Sequence, residues 1–146
     1  MECAYAQGKL EAIGLKKGKK LTYAVETTSA PYKVVLTPYK TILTADGQDA
    51  TVINISIVDR EGREVPDADN MVKFNITGDA KIIGVGNGDP SSHENDKCTE
   101  GSWQRAAFNG KCQVIVQSGK NKGVIDVAAK AAGLQMGVAS VLTVTR

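Results

Sequence analysis

The sequence predicts an all-β protein, an immunoglobulin-like β-sandwich preceded by a β-hairpin. Apolar and polar residues alternate with a period of two in segments spaced about ten residues apart, and Gly, Pro, Asn or Asp separate these segments. No segment keeps the i, i+3, i+4 apolar spacing over the roughly ten residues that a helix requires. The 146 residues are enough for one ordinary domain, and 42% of them are hydrophobic, which is sufficient for a core.

The first element in chain order is a hairpin at residues 9–28. Apolar residues alternate with polar ones on both sides of a turn at Lys17-Gly18-Lys19. Because two strands alone are marginally stable in water, this hairpin must pack against the rest of the chain or against a neighbour. The small residues at 27–31 end in Pro31 and have the composition of a linker between domains. We therefore predict a hairpin and linker at residues 1–31 and a sandwich at residues 32–146.

Alternation predicts the strands of the sandwich in turn. They fall at residues 34–36, 41–43, 50–59, 71–77, 80–85, 112–117, 124–129 and 138–144. The clearest is 50–59, in which Ile53, Ile55 and Ile57 share the face that we expect to point inward. A turn is predicted at residues 108–111 and a loop at residues 130–136.

Charge and hydropathy exclude several classes of function. The formal net charge is only +2, and no long Lys/Arg cluster is present, so nucleic-acid binding by a basic face is not expected. No apolar run approaches the roughly 18–20 residues that a membrane helix needs, so no membrane contact is predicted. The first residues lack the basic and apolar regions of a signal peptide. The sequence is therefore expected to be either cytoplasmic or a piece of a longer chain.

The cysteines do not predict a metal site. Cys3, Cys98 and Cys112 show no C-x-x-C spacing, and one histidine cannot complete four well-spaced zinc ligands with them. Free or partly buried thiols are the favoured interpretation, and a Cys98–Cys112 disulfide stays open. No cofactor is predicted.

One polar loop interrupts this regular pattern. It begins within the glycine-rich run Gly84-Val85-Gly86-Asn87-Gly88 and continues to Glu94, and it contains Asp89 and the single histidine, His93. The single tryptophan, Trp103, follows ten residues later. Asn87, Asp89, His93 and Trp103 are therefore the candidate ligand or interface residues. No catalytic residue is assigned.

Three catalytic or nucleotide-binding interpretations of this loop are disfavoured. A glycosidase pair of Asp89 and Glu94 would need one carboxyl held protonated across a sugar cleft, and a polar loop provides no reason for that. Nucleophilic catalysis by Ser92 or Cys98 with His93 lacks an orienting third group. A dinucleotide motif needs G-x-G-x-x-G opening a helix, whereas the spacing here is G-x-G-x-G before a Pro-containing loop.

Two interpretations of the loop remain. In the first, the glycines permit a bulge or turn at a strand end, and Asn87 and Asp89 bond to the local backbone. In the second, the loop contacts a sugar or a neighbouring domain. Trp103 is consistent with both, since an indole can stack on a sugar ring or pack against the core.

Three separated motifs, in order, resemble the last domain of bacterial glycoside hydrolase family 2 enzymes, chiefly β-galactosidases. They are DADNMVKFNITG at 67–78, IIGVGNGDPSSHE at 82–94 and RAAFNGKCQVIVQS at 105–118. The run GKLEAIGLKKGK at 8–19 is similar to the close of the domain that precedes it. The resemblance extends over nearly the whole chain.

This resemblance implies a non-catalytic C-terminal accessory domain of a larger periplasmic or secreted glycosidase. The two catalytic Glu of that family lie on a (β/α)₈ barrel of roughly 250 residues, for which this chain has neither the length nor the helices. The implied partners are the other domains of the parent enzyme. The alternative is a carbohydrate-binding module that holds an oligosaccharide with the Gly84–Glu94 loop and Trp103. An adhesin-type sandwich would rest on fold analogy alone.

Overall fold

The computed structural model describes residues 8–145 and is built from β-strands. A two-stranded hairpin comes first, formed by β1 (Lys9–Lys16) and β2 (Lys19–Glu26). The remaining strands are β3 (Lys33–Pro38), β4 (Ile42–Thr44), β5 (Ala50–Val58), β6 (Met71–Thr77), β7 (Ala80–Gly86), β8 (Gln104–Ala106), β9 (Lys111–Ser118), β10 (Gly123–Ala131) and β11 (Gly137–Val144). Within residues 8–145 no helix is present, and thus none long and apolar enough to cross a membrane. The predicted all-β sandwich with a preceding hairpin is confirmed.

The sandwich consists of two sheets. One has the strand order β4-β11-β10-β6-β8, and the other has the order β3-β5-β9-β7. Neighbouring strands run antiparallel, except that β4 pairs with β11 in parallel. Because β3 and β4 belong to different sheets, the chain crosses from one layer to the other at residues 39–41.

The core lies between the two sheets and follows the predicted alternation. Ile53, Ile55 and Ile57 on β5 are at most 1% exposed, as expected for one inward face. Val127 and Val141 of the opposite sheet are fully buried with them. These branched aliphatic side chains fill the space between the layers and supply the main hydrophobic stabilisation of the sandwich.

The structure differs from the sequence prediction at two strands. β8 was not predicted, because an alternating pattern cannot be recognised in only three residues. It forms by pairing with β6, where Met71 lies opposite Ala106. β10 continues through Lys130 and Ala131, which we expected to be loop. These two residues pair with β6 and keep the alternation, because Ala131 is buried and Lys130 is exposed.

The hairpin is regular but has no core of its own. Its two-residue turn places Lys17 and Gly18 at φ of 50° and 74°, which suits the twist of the flanking strands. The cross-strand pairs Leu10–Val25, Ala12–Tyr23 and Gly14–Leu21 share one face. We call Leu10, Ala12, Leu21, Tyr23 and Val25 the apolar hairpin face. All of its residues are exposed, Tyr23 by 73% and Leu10 by 76%.

A buried carboxylate joins the hairpin and linker to the sandwich. The Asp59 side chain is 0% exposed, and its Oδ2 accepts hydrogen bonds from Ser29 N at 3.0 Å and Arg63 Nε at 2.8 Å. Arg63 Nη1 also donates to Glu26 Oε2 at 3.1 Å, at the end of β2. The linker at residues 27–31 is therefore held against the connection that follows β5.

Candidate functional site

The candidate loop, predicted at Gly84–Glu94, occupies residues 87–103, because Gly84–Gly86 belong to β7 and β8 begins only at Gln104. Its beginning is shaped by local hydrogen bonds, as expected for a turn at a strand end. Asn87 Oδ1 accepts from Asp89 N at 3.1 Å, and Gly88 adopts a φ of 76°, which favours glycine. Asp89 Oδ1 in turn accepts from Ser91 N at 2.8 Å and from Ser91 Oγ at 2.7 Å.

The centre of the loop is organised by Arg105 on β8. Its residue surface is only 4% exposed. Nη1 donates to the Glu94 carbonyl at 3.0 Å and to Asp96 Oδ1 at 2.9 Å. Nη2 donates to Asn87 Oδ1 at 3.0 Å and to Ser92 Oγ at 3.3 Å. One guanidinium thus connects four residues of the loop, and its charge-assisted bonds fix the loop conformation.

The carboxylate of Glu94 completes this network. Glu94 Oε2 lies 3.7 Å from Arg105 Nε and accepts a hydrogen bond from Ala106 N at 3.0 Å. Among residues 8–145, Arg105 Nε is buried and makes no hydrogen bond. Glu94 therefore acts as an ion-pair partner of Arg105 and a cap on the β8 backbone. That role differs from the free carboxyl needed for acid catalysis.

The ionisation of Asp89 argues against a glycosidase acid in the loop. The hydrogen bonds from the Ser91 hydroxyl and the Ser91 backbone hold the pKa of Asp89 below its ordinary value. A general acid needs its pKa raised, commonly by an apolar environment. Asp89 is therefore ionised near neutral pH and bonds to the local backbone.

The structure separates the four predicted site residues into different surroundings. Asn87 and Asp89 line a shallow depression together with Gly84 and Arg105. Trp103 is half-buried, packs against the core and lines other depressions beside Phe74. His93 is exposed on the loop. Whether any of these residues binds a ligand stays a prediction, but Trp103 does not share the Asn87–Asp89 depression.

Neither described cysteine takes part in a disulfide. Cys98 is half-buried and Cys112 is buried, and both are free thiols. Burial raises the pKa of Cys112 to about 12, so this thiol is unreactive at neutral pH. Cys3 lies outside the described residues. Within residues 8–145 no group of three or more His, Cys, Asp or Glu side chains could hold a metal ion.

Sequence reasoning missed Arg105 as the centre of the loop. The signal would have been a charged residue at an inward-facing position of a strand, between exposed Gln104 and half-buried Ala106. The inward direction of the Arg105 side chain could be assigned only if β8 had been predicted as a strand. The Asp59–Arg63 pair was missed for a similar reason, since the turn at 59–62 has the ordinary polar composition of a surface turn.

Comparison with known proteins identifies the family. Residues 34–140 match the model of the glycoside hydrolase family 2 C-terminal domain 5. The chain belongs to this family. The resemblance found in the sequence motifs is thus confirmed, and the match covers the sandwich from β3 to the first half of β11.

Members of this family are similar to this protein over nearly its full length. A β-galactosidase of Bacteroides ovatus is 36% identical over 135 residues, which are 92% of this chain and 15% of that protein. A β-glucuronidase of Formosa agariphila is 31% identical over 90% of this chain and 13% of that protein. The crystal structure of a glycosyl hydrolase family 2 member from Bacteroides cellulosilyticus superposes with a TM-score of 0.89, at 33% identity, over 98% of this chain and 18% of that one.

These matches also show how small a part of its relatives the chain represents. It spans about 15% of the Bacteroides ovatus protein and 18% of the Bacteroides cellulosilyticus structure. The coverage of 98% includes the hairpin, which lies before the residues matched by the family model. The hairpin and the sandwich are therefore similar as one unit to the glycosidase structure.

Proposed function

We propose that this chain is a non-catalytic accessory domain of a larger family 2 glycosidase of the β-galactosidase type, which degrades carbohydrate. The chain matches less than a fifth of each of these relatives, and a (β/α)₈ barrel alone would need about 250 residues. Its role in the parent enzyme is to pack against other domains and support their assembly.

The ionisable groups of the chain support a non-catalytic role. Six carboxyls have a pKa below the ordinary value because hydrogen bonds stabilise their charged form; they are Asp46, Asp49, Asp59, Glu64, Asp79 and Asp89. The paired carboxyl groups of a glycosidase require at least one that stays protonated near neutral pH. None of these six suits that role.

The apolar hairpin face is the observation that carries the packing role. An isolated two-stranded hairpin is marginally stable, and this one exposes Leu10, Leu21, Tyr23 and Val25 by between 53% and 76%. We infer that residues 1–31 are the end of a preceding β domain, whose remaining strands cover this face. The domain boundary at residue 31 is part of this proposal.

Hydrolysis by the pure chain is the direct test. The chain should release no 4-nitrophenol from 4-nitrophenyl β-galactoside or β-glucuronide above the rate of the buffer. Glu94→Gln serves as the matched control, because it neutralises the loop carboxylate that pairs with Arg105 and accepts a hydrogen bond from Ala106 N. Turnover by the chain that is lost in Glu94→Gln would overturn the accessory role, whereas equal turnover in both would indicate a contaminating enzyme.

A carbohydrate-binding module is the second candidate, favoured by one observation. Trp103 is half-buried beside a depression whose rim carries Lys73, Ser102 and Gln104, and partly exposed indoles stack well on sugar rings. Titration of the single tryptophan's fluorescence with galactose, lactose and a panel of glycans distinguishes the candidates. The accessory role predicts a flat response. A saturable shift that Lys73→Ala or Gln104→Ala abolishes would establish a sugar site beside Trp103.

We also propose that the parent enzyme acts in the periplasm or outside the cell, where a glycan-degrading hydrolase would meet polymeric substrates. The supporting finding is the similarity to bacterial glycosidases over 92% of the chain. Fractionation of the source bacterium, with an antibody against this domain, should recover the full-length enzyme outside the cytoplasm. Recovery in the cytoplasmic fraction would contradict this proposal.

A further inference from the structure

The outer face of the five-stranded sheet carries a second exposed apolar surface. It consists of Ile42, Val124, Val138, Leu142 and Val144, which we call the outer patch. Their exposed fractions are 57%, 53%, 54%, 43% and 38%. The strand register puts Ile42 beside Leu142 on one side and Val124 beside Leu142 on the other. The outer patch therefore extends over three adjacent strands, β4, β11 and β10, and Val138 lies at its margin, beyond Ser140 on β11.

The outer face of the other sheet is more polar and less exposed where it is apolar. On β5 and β9, Asn54 lies opposite Gln113 and Ser56 opposite Lys111, and the apolar pair Val52 and Ile115 is half-buried. Single exposed apolar residues are ordinary on protein surfaces, but a contiguous group of branched aliphatic side chains marks an interaction site. The difference between the two outer faces indicates that one of them is covered in the assembled protein.

The size of the outer patch indicates the kind of partner. Roughly half of each of five aliphatic side chains is exposed, on the order of 400 Å² in total. A partner of equal size would bring the interface to about 800 Å², about half of what a stable dimer of free subunits buries. Interfaces between domains of one chain extend down to about 600 Å², because the covalent link raises the effective concentration. The patch fits a tethered partner better than a second copy.

We propose that the outer patch packs against another domain of the same glycosidase polypeptide, as a second docking surface besides the hairpin. This inference rests on the proposed function, since it requires a parent chain. The length of the relatives supplies candidates, because more than four fifths of the Bacteroides cellulosilyticus protein lies outside the matched region. Between Val138 and Leu142, Ser140 donates a hydrogen bond to Asp126. We therefore expect the surface of the partner domain to be apolar. It should also carry a basic or hydrogen-bond-donating group that faces the Asp126 carboxylate.

Carbene footprinting with a photolysed diazirine tests this assignment in the isolated chain and in the full-length enzyme. Labelling of Ile42, Val124 and Leu142 should be strong in the isolated chain and several-fold weaker in the full-length enzyme. Labelling of Val35 and Val52 on the outer face of the other sheet should not change. Equal labelling of the outer patch in both proteins would overturn the proposal. A loss of labelling in the isolated chain as its concentration rises would assign the patch to a second copy, which also overturns it.

A pair of variants gives an independent readout. Leu142→Lys should lower the unfolding temperature of this domain in the full-length enzyme by several degrees and leave the isolated chain nearly unchanged. Asn54→Lys adds the same charge on the opposite outer face and should have little effect in either protein. If the two variants behave alike in the full-length enzyme, the outer patch is not a docking surface. The activity of the isolated chain, which tests the accessory role, is a separate measurement.

Discussion

Arg105 shows how one side chain can determine the shape of a long loop. Its guanidinium reaches Asn87, Ser92, Glu94 and Asp96, which are 9 to 18 residues away in sequence. Burying a guanidinium is costly unless carboxylates and carbonyls surround it. The loop supplies these acceptors, so the loop conformation and the burial of Arg105 depend on each other.

Arg105→Met should destabilise the chain by about 2–3 kcal/mol. This loss of unfolding free energy is smaller than for breaking a fully buried ion pair. The side chains of Glu94 and Asp96 are 37% and 77% exposed, so water can solvate them when Arg105 is removed. Urea unfolding followed by circular dichroism measures the loss. Lys97→Met, an exposed position on the same loop, is the matched control and should change stability by less than about 0.5 kcal/mol. Equal effects would show that the network contributes nothing specific.

Asp59 predicts a defined sensitivity to acid. Burial alone would raise its pKa, but the hydrogen bonds from Ser29 and Arg63 and the charge of Arg63 outweigh burial and lower the pKa to about 2, from 3.8. Because the folded-state pKa is the lower one, the stability from this group is complete above about pH 4 and is lost as the pH falls towards 2. Urea midpoints between pH 2 and pH 5 should therefore fall less steeply in Asp59→Asn than in the unchanged chain.

The control for this measurement is Asp69→Asn, an exposed carboxyl on the same connection between β5 and β6. Its urea midpoints should fall as steeply as those of the unchanged chain, although Asp69→Asn removes the same charge. The other hydrogen-bonded carboxyls account for the slope that remains in Asp59→Asn. An unchanged slope in Asp59→Asn would mean that the linker contacts do not stabilise the folded state.

For individual residues, the sequence identified the loop residues Asn87 and Asp89 but not the side chains with which Arg105 and Asp59 pair. Asn87 and Asp89 were expected to bond to local backbone, and both receive such bonds. Arg105 and Asp59 could not be assigned, because their partners lie in segments without periodicity, and periodicity is what sequence reasoning uses to place side chains. Partner choice within an irregular loop depends on the folded path of the backbone.

The hairpin is the element whose behaviour depends most on its neighbours. In the isolated chain, its apolar face should cause self-association at high concentration, since contiguous exposed apolar surface favours association between molecules. Tyr23→Lys should reduce the weight-average mass in analytical ultracentrifugation. Thr37→Lys introduces the same charge at an exposed position of β3, outside the hairpin, and should have a smaller effect. If both variants remain equally associated, another surface is responsible.

The turn between β8 and β9 depends on glycine for two reasons that can be separated. Gly110 has a φ of 76°, and a Cβ there would lie 2.2 Å from the Val65 carbonyl oxygen. Gly110→Ala should therefore cost about 3 kcal/mol in free energy of unfolding. Gly88 has the same φ, but nothing lies within 4 Å of its Cβ position, so Gly88→Ala should cost only about 1 kcal/mol. Similar losses in urea unfolding would refute the proposed steric contribution.

Strands were predicted correctly where the alternating pattern is long. They were missed where only pairing with a neighbouring strand determines that a segment is a strand. β5, β6, β9 and β11 carry several alternating residues each and were predicted as strands, and the inward face predicted for β5 is confirmed. β8 has three residues, and the end of β10 consists of small residues that suit either a loop or a strand. Both are strands because β6 offers them unpaired backbone groups.

For the whole molecule, we expect two levels of stability in the isolated chain. Strands β5 and β9 lie in the centre of their sheet and should exchange their amide hydrogens only on global unfolding. The hairpin strands are exposed along their full length, so their amides should exchange orders of magnitude faster. Hydrogen exchange with mass spectrometry measures both. Comparable protection of the hairpin would show that it is covered even in the isolated chain.

Alternation and turn spacing were sufficient to predict a sandwich, but not its strand order. Period two assigns a face to each residue and says nothing about which strands are neighbours. The parallel pairing of β4 with β11 has no local signature, because it joins residues 42–44 to residues 142–144. The family resemblance identified the kind of domain, but no strand order was predicted from it.

That parallel pair has a mechanical consequence. When force pulls the N-terminal side of β4 and the C-terminal side of β11 in opposite directions, it acts along both strands. The hydrogen bonds between them then carry the load together, whereas those of an antiparallel hairpin pulled from its open end break one at a time. Force applied in this way would thus shear the pairs Ile42–Leu142, Leu43–Thr143 and Thr44–Val144 simultaneously.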